Sequence, residues 1–259
     1  MSKKILLLLI LSVFVLNGCG FNKNQNNLYN TIIQRDNMIV GISIDSKPFG
    51  FKGSDGKIKG IEADLAREIA NKILGSKDKV TFKNITSQDR IKAVISGDVD
   101  MVISTMTITP ERKKIVNFSD PYYIAGQVIC VRKDSKINSL DDLMNKRIIV
   151  ILGTTGEENI RRFAPNALIQ GYSNNIDALN AFKEGSDDAI TTDDSLLHGF
   201  VIENEGYMIL PIKLTEEPYG IAFKKSNQAN LFKQNINKII NEIRFNGTFD
   251  SIKDKWGID

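Results

Sequence analysis

Ser87–Tyr123, which reads SQDRIKAVISGDVDMVISTMTITPERKKIVNFSDPYY, is the most informative stretch of the chain. Its first part, Arg90–Ser96, predicts an amphipathic helix, and the short apolar run Met101–Ser104 predicts a buried strand. A polar loop that contains several threonines and Arg112 follows this strand directly. A helix, a strand and a polar loop in this order indicate an α/β fold with hydroxyl and guanidinium groups after the strand end.

The alternation of strands and helices continues on both sides of this stretch. In Ile61–Ile73 an apolar residue recurs at every fourth position, so that these residues share one face of a predicted helix. Acidic residues in its first turn have the sign that the helix dipole favours. Further strands are predicted at Met38–Ile44, Val80–Asn84, Arg147–Ile151, Asp188–Thr191 and Tyr219–Phe223. Further helices are predicted at Glu157–Phe163, Asn175–Lys183, Ser195–Asn204 and Asn227–Phe245.

Two extended segments, Ala125–Arg132 and Tyr219–Lys224, flank a self-contained block of strands and helices. If both segments cross between lobes, the chain builds lobe 1, then lobe 2, and then returns to complete lobe 1. We therefore predict lobe 1 at residues 31–124 and 222–259 and lobe 2 at residues 125–221. Two such crossings form a hinge. Periodicity leaves a single sheet of about nine strands as the alternative.

The N-terminus has the pattern of an export signal. Two lysines precede an apolar run, Ile5–Leu16, which is shorter than the roughly 20 apolar residues that a membrane span requires. The following Asn-Gly-Cys19 resembles the lipobox of bacterial lipoproteins, in which the cysteine is lipidated and the signal is cut before it. We predict a signal peptide at residues 1–18 and a polar tether at residues 19–30 that is lipid-anchored through Cys19. The mature protein is then expected outside the cytoplasmic membrane.

Composition and charge narrow the class of protein. With 259 residues, 42% of them hydrophobic and 25% charged, the chain is long enough for one large or two modest globular domains. The 34 basic and 31 acidic residues nearly balance once the N-terminal lysines are removed with the signal peptide. Because the sequence contains no basic stripe, nucleic acid is not expected as a partner.

The inventory of reactive side chains argues against an enzyme. The single histidine, His198, lies within a predicted helix without a Ser or Cys motif beside it, and no metal-ligand spacing of His and Cys occurs. Cys130 lies in an apolar strand segment, which indicates packing. The loop Gly153–Glu157 lacks the lysine of a nucleotide-binding loop, although its backbone N–H groups suit a small anion. No metal or cofactor is therefore expected.

Six short motifs are distributed along Asn37–Gly257. They are Gly60–Ala66 (GIEADLA), Thr107–Arg112 (TITPER), Phe118–Tyr123 (FSDPYY), Gly153–Gly156 (GTTG), Asp188–Asp194 (DAITTDD) and Glu217–Ala222 (EPYGIA). In this order they resemble the extracellular solute-binding proteins of polar amino-acid ABC importers. The resemblance implies the type II periplasmic-binding-protein fold, in which two α/β lobes are joined by two crossover segments that form a hinge. It also implies a free amino acid as the ligand and an ABC permease with its ATPase as partners, and we expect a monomer.

An amino acid presents a carboxylate and an ammonium on one carbon, so its receptor needs a fork of donors and one acceptor charge. Arg112 supplies such a fork, because a guanidinium meets a carboxylate through two parallel hydrogen bonds. Thr105 and Thr107 add hydroxyl and backbone donors nearby. The resemblance implies that these three residues and Thr155 bind the α-carboxylate, and that Asp193 accepts from the α-ammonium. Arg112 and Asp193 would then lie on opposite lobes, so that a ligand closes the cleft by contacting both.

The identity of the amino acid depends on three further positions. By the resemblance, Arg90 matches a second arginine of acidic amino-acid and cysteine binders, which favours glutamate or aspartate. Ser43 stands where some relatives carry Lys and others Asp, and Phe49 either stacks on the ligand or packs in the core. The expected order is glutamate or glutamine, then aspartate, then cysteine. A secreted enzyme of the same fold, such as a cyclohexadienyl dehydratase, and an amino-acid sensor are the alternatives.

Overall fold

The computed structural model describes residues 28–185, 187–226 and 229–258. Its helices are α1 (Leu28–Arg35), α2 (Ile61–Leu74), α3 (Arg90–Ser96), α4 (Pro110–Ile115), α5 (Thr155–Phe163), α6 (Asn175–Glu184), α7 (Asp194–Glu203), α8 (Ala229–Phe245) and α9 (Thr248–Lys255). Its strands are β1 (Met38–Ile42), β2 (Asp45–Ser46), β3 (Gly50–Lys52), β4 (Ile58–Lys59), β5 (Val80–Asn84), β6 (Met101–Val102), β7 (Asn117–Phe118), β8 (Tyr123–Arg132), β9 (Arg147–Ile151), β10 (Leu168–Tyr172), β11 (Ala189–Asp193), β12 (Tyr207–Ile209), β13 (Thr215–Tyr219) and β14 (Ala222–Phe223). The predicted signal peptide and Cys19 lie outside the described residues.

One sheet brings together strands from the first and last parts of the chain. Its order is β5-β1-β6-β14-β7, with β1 parallel to β5 and β6, and β14 antiparallel to β6 and β7. Helix α2 packs on it through the predicted apolar stripe, because Ile61, Leu65 and Ile69 are fully buried. Helix α8 adds a second buried stripe, and both stripes belong to one core. We call this unit lobe 1.

Another sheet is formed by the middle of the chain. Its order is β10-β9-β11-β8-β12, and β13 pairs with the first half of β8. Alternate residues of β9 belong to different cores: Ile148 and Val150 pack on one face, and Ile149 and Ile151 pack on the other. Burial on both faces explains why this strand is a continuous apolar run in the sequence. We call this unit lobe 2.

These two sheets are separate, which confirms the two-lobed α/β fold, and the alternative of a single continuous sheet is wrong. The short strands β2, β3 and β4 form a third sheet, in the order β2-β3-β4. The chain passes between the lobes along β8 and β13. These strands pair antiparallel, with Tyr123 opposite Tyr219 and Ala125 opposite Glu217. The lobes are therefore joined by one two-stranded ribbon, whereas the residue numbers at which each lobe begins and ends stay a prediction.

Most predicted elements are present, with shifted ends. The predictions for β5, β9 and α3 are confirmed residue by residue. The strand predicted at Met101–Ser104 stops at Val102, because the chain turns at Thr105, whose φ is +39°. The strand predicted at Tyr219–Phe223 is divided, since its first residue ends β13 in the ribbon and its last two form β14 in lobe 1.

Neither a membrane-spanning helix nor a metal-binding cluster is present among the described residues. None of the helices there is both long and apolar enough to cross a bilayer, and no three His, Cys, Asp or Glu side chains are grouped to hold a metal ion. Cys130 is buried and unbridged in β8, and burial raises the pKa of its thiol to about 12, which confirms the prediction of packing. His198 is exposed on α7.

Candidate functional site

A cleft between the two lobes collects polar side chains at strand ends and helix starts. Lobe 1 contributes the start of α3, the loop after β6 and helix α4. Lobe 2 contributes the loop between β9 and α5, the start of α6 and the junction of β11 with α7. The cavity itself is small, with a volume of about 20 Å³. Its charged and hydroxyl-bearing lining includes Arg90, Thr105, Thr107, Arg112, Thr155 and Asp193.

Arg112 is held in lobe 1 and reaches lobe 2. It lies in α4, where the hydroxyl of the capping residue Thr109 accepts from its backbone N–H at 3.1 Å. Its Nη1 donates to the Thr107 carbonyl at 2.9 Å, and its Nη2 donates to the Gly153 carbonyl at 3.3 Å. Burial lowers the pKa of Arg112, and nearby carboxylates, Glu158 most strongly, oppose that shift. A guanidinium has five N–H groups, so these two bonds leave donors for an anionic ligand.

Arg90, the first residue of α3, is engaged more fully by the protein itself. It is 2% exposed, and its Nε donates to the Ser87 carbonyl at 3.1 Å. Its Nη1 donates to the carbonyls of Ser104 at 2.8 Å and Thr105 at 3.3 Å, and its Nη2 donates to that of Gly153 at 3.3 Å. Burial, followed by the like charge of the neighbouring arginine, lowers the pKa of Arg90 to about 9, so it is still cationic at neutral pH. Because carbonyls accept most of its N–H groups, Arg90 acts on the cleft mainly through its charge.

Asp193 lies across the cleft from the arginines, at the end of β11 and directly before α7. The Tyr219 hydroxyl donates a hydrogen bond to its Oδ2. Loss of hydration raises the pKa of Asp193 to about 7, and the negative charges of Glu217 and Asp194 act in the same direction. The Tyr219 bond and the charge of Arg90 oppose the shift. The carboxyl group is therefore close to its titration point near neutral pH and gains from a cationic partner.

Thr155 joins the lobes through hydroxyl contacts. Its Oγ1 lies 3.3 Å from Oγ1 of Thr107 in lobe 1 and donates to Oε2 of Glu217 at 2.7 Å. Thr155 is the first residue of α5, which begins earlier than predicted because the Thr154 hydroxyl caps it and accepts from the Glu157 N–H at 3.3 Å. The unpaired N–H groups and the positive dipole end of this first turn suit an anion beside the guanidinium.

A second set of contacts joins the lobes beside the cavity. Oδ2 of Asp45 in lobe 1 accepts from the backbone N–H of Asn175, the first residue of α6 in lobe 2, at 2.5 Å. Nδ2 of Asn175 donates to the Ser46 hydroxyl at 3.1 Å, and Lys47 Nζ pairs with Glu203 Oε1 at 3.2 Å. Because side chains of both lobes are in direct contact here, the structure is a closed arrangement of the lobes.

The sequence matches a known family over almost all of the described residues. The model of bacterial extracellular solute-binding proteins, family 3, matches residues 38–259. The chain belongs to this family. The ABC transporter glutamine-binding protein GlnH of Bacillus subtilis (strain 168) is 38% identical over 98% of this chain and 97% of its own length.

The solved structures that are similar to this solute-binding protein include two ancestral proteins. An ancestral arginine-binding protein bound to glutamine is 40% identical, with a TM-score of 0.79 over 86% of this chain and 98% of that chain. An ancestral amino-acid-binding protein described as a precursor of cyclohexadienyl dehydratase is 37% identical, with a TM-score of 0.81 over 89% of this chain and 99% of that chain. Both likenesses extend over both lobes.

The predicted site residues of this solute-binding protein fall into two groups. Ser43 lies in a crevice beside the cavity, where its hydroxyl donates to Asp45. Phe49 is fully buried in the core of lobe 1, edge-on to Tyr123 and Tyr219 at ring-centroid distances of 5.0 and 5.5 Å. Stacking of Phe49 on a ligand is therefore wrong, because the tyrosines cover the ring, and core packing is correct. The structure brings the other six together in one cavity, where their roles toward a ligand remain predictions: Arg90, Thr105, Thr107, Arg112, Thr155 and Asp193.

The site also contains groups that were not predicted. Glu62 lies buried behind Thr105, Tyr219 donates to the predicted acceptor Asp193, and Asn175 joins the lobes. The sequence did carry a signal for Glu62, because it shares a helical face with Leu65, which follows one turn later. An acidic residue on an apolar helix face requires a partner. The other two reach the cleft through contacts between distant parts of the chain, for which the sequence holds no local signal.

Proposed function

We propose that this chain captures a polar amino acid outside the cytoplasmic membrane and delivers it to an ABC importer. The observation that carries the proposal is that Arg112 and Asp193, opposite charges from two lobes, line one cavity. A relative named for glutamine and a similar structure bound to glutamine support this class of ligand. Glutamate or glutamine is the first candidate, followed by aspartate and cysteine, because Arg90 adds a second cation to the cleft.

The proposed mechanism follows from the two ends of a zwitterion. The α-carboxylate accepts from the N–H groups of Arg112, from Thr105 and Thr107, and from the first turn of α5 at Thr155. The α-ammonium donates to Asp193 on the other lobe. A ligand makes both sets of contacts only when the lobes approach, so it favours the closed state by its differential contacts. The permease and its ATPase then recognise the closed shape.

Membrane attachment is part of the same proposal. Cleavage after residue 18 leaves Cys19 as the lipidated N-terminus. The predicted tether, residues 19–30, is three residues too long, because α1 begins at Leu28 and packs on lobe 1; the part before α1 tethers the lobes to the outer face of the membrane. The protein works as a monomer that presents one amino acid to its permease. It uses no metal, cofactor or nucleic acid and is not an enzyme.

Alanine variants of the two opposite charges test the proposal. If binding is near micromolar, the net free energy is about 8 kcal/mol, and loss of a buried charged partner costs about 3–5 kcal/mol. We expect Arg112→Ala and Asp193→Ala to bind glutamine or glutamate several hundredfold more weakly in calorimetry. Arg161→Ala is the matched control, because Arg161 forms an exposed ion pair with Glu157 on α5. Near-normal affinity of either cleft variant would contradict the assignment.

A thermal-shift panel of the twenty amino acids identifies the ligand. A ligand at a hundred times its Kd stabilises the folded protein by about 2.7 kcal/mol, which raises the melting temperature. We expect glutamine or glutamate to give the largest shift, with smaller shifts from aspartate and cysteine. A panel in which no amino acid raises the melting temperature contradicts the proposed ligand class.

The alternative of an enzyme on the same fold arises because one similar structure, described as an amino-acid-binding protein, is also described as a precursor of cyclohexadienyl dehydratase. Incubation with prephenate or arogenate tests it, and we expect no turnover.

A sensor module is the other alternative. Co-purification with a permease and an ATPase supports transport, whereas co-purification with a membrane receptor supports sensing.

A further inference from the structure

Glu62 is a buried carboxylate immediately behind the ligand cleft. It is the second residue of α2 and is 0% exposed. Its Oε1 accepts from the Tyr122 hydroxyl and from the backbone N–H of Thr105, whereas its Oε2 has no hydrogen-bond partner among the described residues. An ionised carboxylate held in this way carries its charge into the protein interior, where charges act over longer distances than in water.

Thr105 connects this carboxylate to Arg90. The N–H of Thr105 donates to Glu62, and the carbonyl of the same residue accepts from Arg90 Nη1 at 3.3 Å. A left-handed φ of +39° at Thr105 accompanies this pair of contacts. The charge of Glu62 supports the cationic form of Arg90, more strongly than Asp193 does. Glu62 is therefore the counter-charge of Arg90, although the two side chains share no direct hydrogen bond in the structure.

Two of the three charges that line the cleft are matched by the opposite charges of a zwitterionic ligand, whereas the charge of Arg90 is not. The α-carboxylate and α-ammonium of the ligand match Arg112 and Asp193, and Glu217 lies behind Thr155 on that side. Arg90 is the additional cation, and carbonyls already accept most of its N–H groups. If Arg90 were unbalanced, its charge would select an anionic side chain. With a negative charge fixed behind it, that selection weakens.

We propose that Glu62 sets the side-chain selectivity of the cleft, so that a neutral polar amino acid such as glutamine is bound in preference to its isosteric anion glutamate. Glu62 does not touch the ligand; its negative charge, held behind Thr105, offsets the positive charge of Arg90 at the cleft. This inference rests on the proposed function, because it concerns the ligand of the same cavity.

The test compares the affinities of glutamine and glutamate in Glu62→Gln and in the wild-type protein, by calorimetry at pH 8. At this pH the wild-type carboxyl, whose pKa burial raises to about 7, is mostly ionised. Removal of the buried negative charge behind Arg90 leaves the charge of Arg90 unbalanced, which shifts the ratio of the two Kd values toward glutamate by about tenfold or more. If the substitution only disturbs the position of Thr105, it weakens the binding of glutamine and of glutamate to the same extent and leaves the ratio of the two Kd values unchanged. A ratio within twofold of wild type in a folded Glu62→Gln protein overturns the inference.

Glu68→Gln is the matched control, because it removes the same charge from the same helix at a residue paired with Lys77. Its ratio is expected to equal that of wild type.

If Glu62→Gln does not fold, Arg90→Gln is compared with the double variant Glu62→Gln/Arg90→Gln, in which both buried charges are absent. We expect the double variant to favour glutamate about tenfold more than Arg90→Gln does; equal ratios overturn the inference. A wild-type protein that binds neither amino acid overturns the proposed function, and this inference with it.

Discussion

At the scale of single residues, Asp193 is a carboxyl group that ligand binding must ionise. Burial raises its pKa to about 7 in the ligand-free cleft, and Glu217 and Asp194 add to the shift. An α-ammonium prefers the ionised form, so binding lowers this pKa. This fixes the direction of the pH dependence. Well above pH 7, Asp193 is already ionised and binding releases no proton. Below pH 7, a proton must leave Asp193 before the ligand binds, which weakens the affinity.

We therefore expect glutamine affinity to be constant above about pH 8 and to fall by about tenfold for each pH unit below about 6. Calorimetry between pH 5 and 8.5, in buffers of different ionisation enthalpy, measures both the affinity and the released proton. Because Glu62 also has a raised pKa of about 7, the experiment is repeated with Glu62→Gln, where the dependence should persist. Asp193→Asn should bind weakly and lose the dependence. The same pH profile in Asp193→Asn would assign the proton to another group.

Some residues of the candidate site were predicted from the sequence and others were not, and the difference has a physical reason. Arg112, Thr105 and Thr107 lie close together after one predicted strand, and the chemistry of their side chains suits a carboxylate, whereas Asp193 was predicted from the family resemblance alone. Glu62 meets Thr105, which lies 43 positions further along the chain. Such a contact depends on how α2 packs beside the β6 loop, and no spacing in the sequence encodes it. Phe49 was undecided for the same reason, because only its tyrosine neighbours place it in the core.

At the scale of elements, the N-terminus of α6 is a closing contact between the lobes. Asn174 caps this helix by accepting from the Asp177 N–H at 2.8 Å, which leaves the Asn175 N–H for a partner outside the helix. Asp45 of lobe 1 supplies that partner, and its negative charge suits the positive end of the helix dipole. The contact forms only when the lobes are closed, so it adds to the stability of the closed state.

We expect Asp45→Asn to weaken amino-acid binding by about tenfold, since an ionised acceptor at a helix N-terminus is replaced by a neutral one. Because the contact exists only in the closed state, most of the change should appear as faster release, measured by stopped-flow displacement. Lys47→Ala is the control, because Lys47 and Glu203 form a largely exposed ion pair across the same gap. Its effect should stay below about threefold. Equal losses in the two variants would show that Asp45 has no special role.

Element prediction succeeded where a segment was long or buried on both faces. Arg147–Ile151 was found because both of its faces are apolar, and Ile61–Leu74 because its stripe has the helical period. Strands of two or three residues, such as Asn117–Phe118, are too short to show a period. Thr215–Tyr219 was missed because its sequence, TEEPY, has charges and a proline, although it pairs with β8 along its whole length.

At the scale of the whole molecule, both connections between the lobes lie in one antiparallel ribbon. The Tyr123 end of β8 pairs with β13, and its Arg132 end pairs with β12 inside lobe 2. Tyr123, Tyr219 and Phe49 pack together beneath the lobe 1 end of the ribbon. A ribbon of two adjacent strands can bend while the packing inside each lobe stays unchanged. Such a ribbon can therefore act as a hinge. Two crossings were predicted from the sequence, whereas their pairing follows from the structure.

In the closed arrangement the charge of Arg112 disfavours the cationic form of Arg90, and both arginines of lobe 1 donate to the single carbonyl of Gly153 in lobe 2. Without a ligand, the contacts that a zwitterion would make to Arg112 and Asp193 at the same time are missing, so the closed state is less favoured. We therefore expect small-angle X-ray scattering of the ligand-free protein to give a larger radius of gyration than the closed structure, and saturating glutamine or glutamate to reduce it. Arg112→Ala at the same ligand concentration should remain at the ligand-free value, because it binds several hundredfold more weakly. A wild-type protein that binds the amino acid in calorimetry while its scattering curve stays unchanged would show that the lobes do not move, and the charge clamp would then act within a rigid cleft.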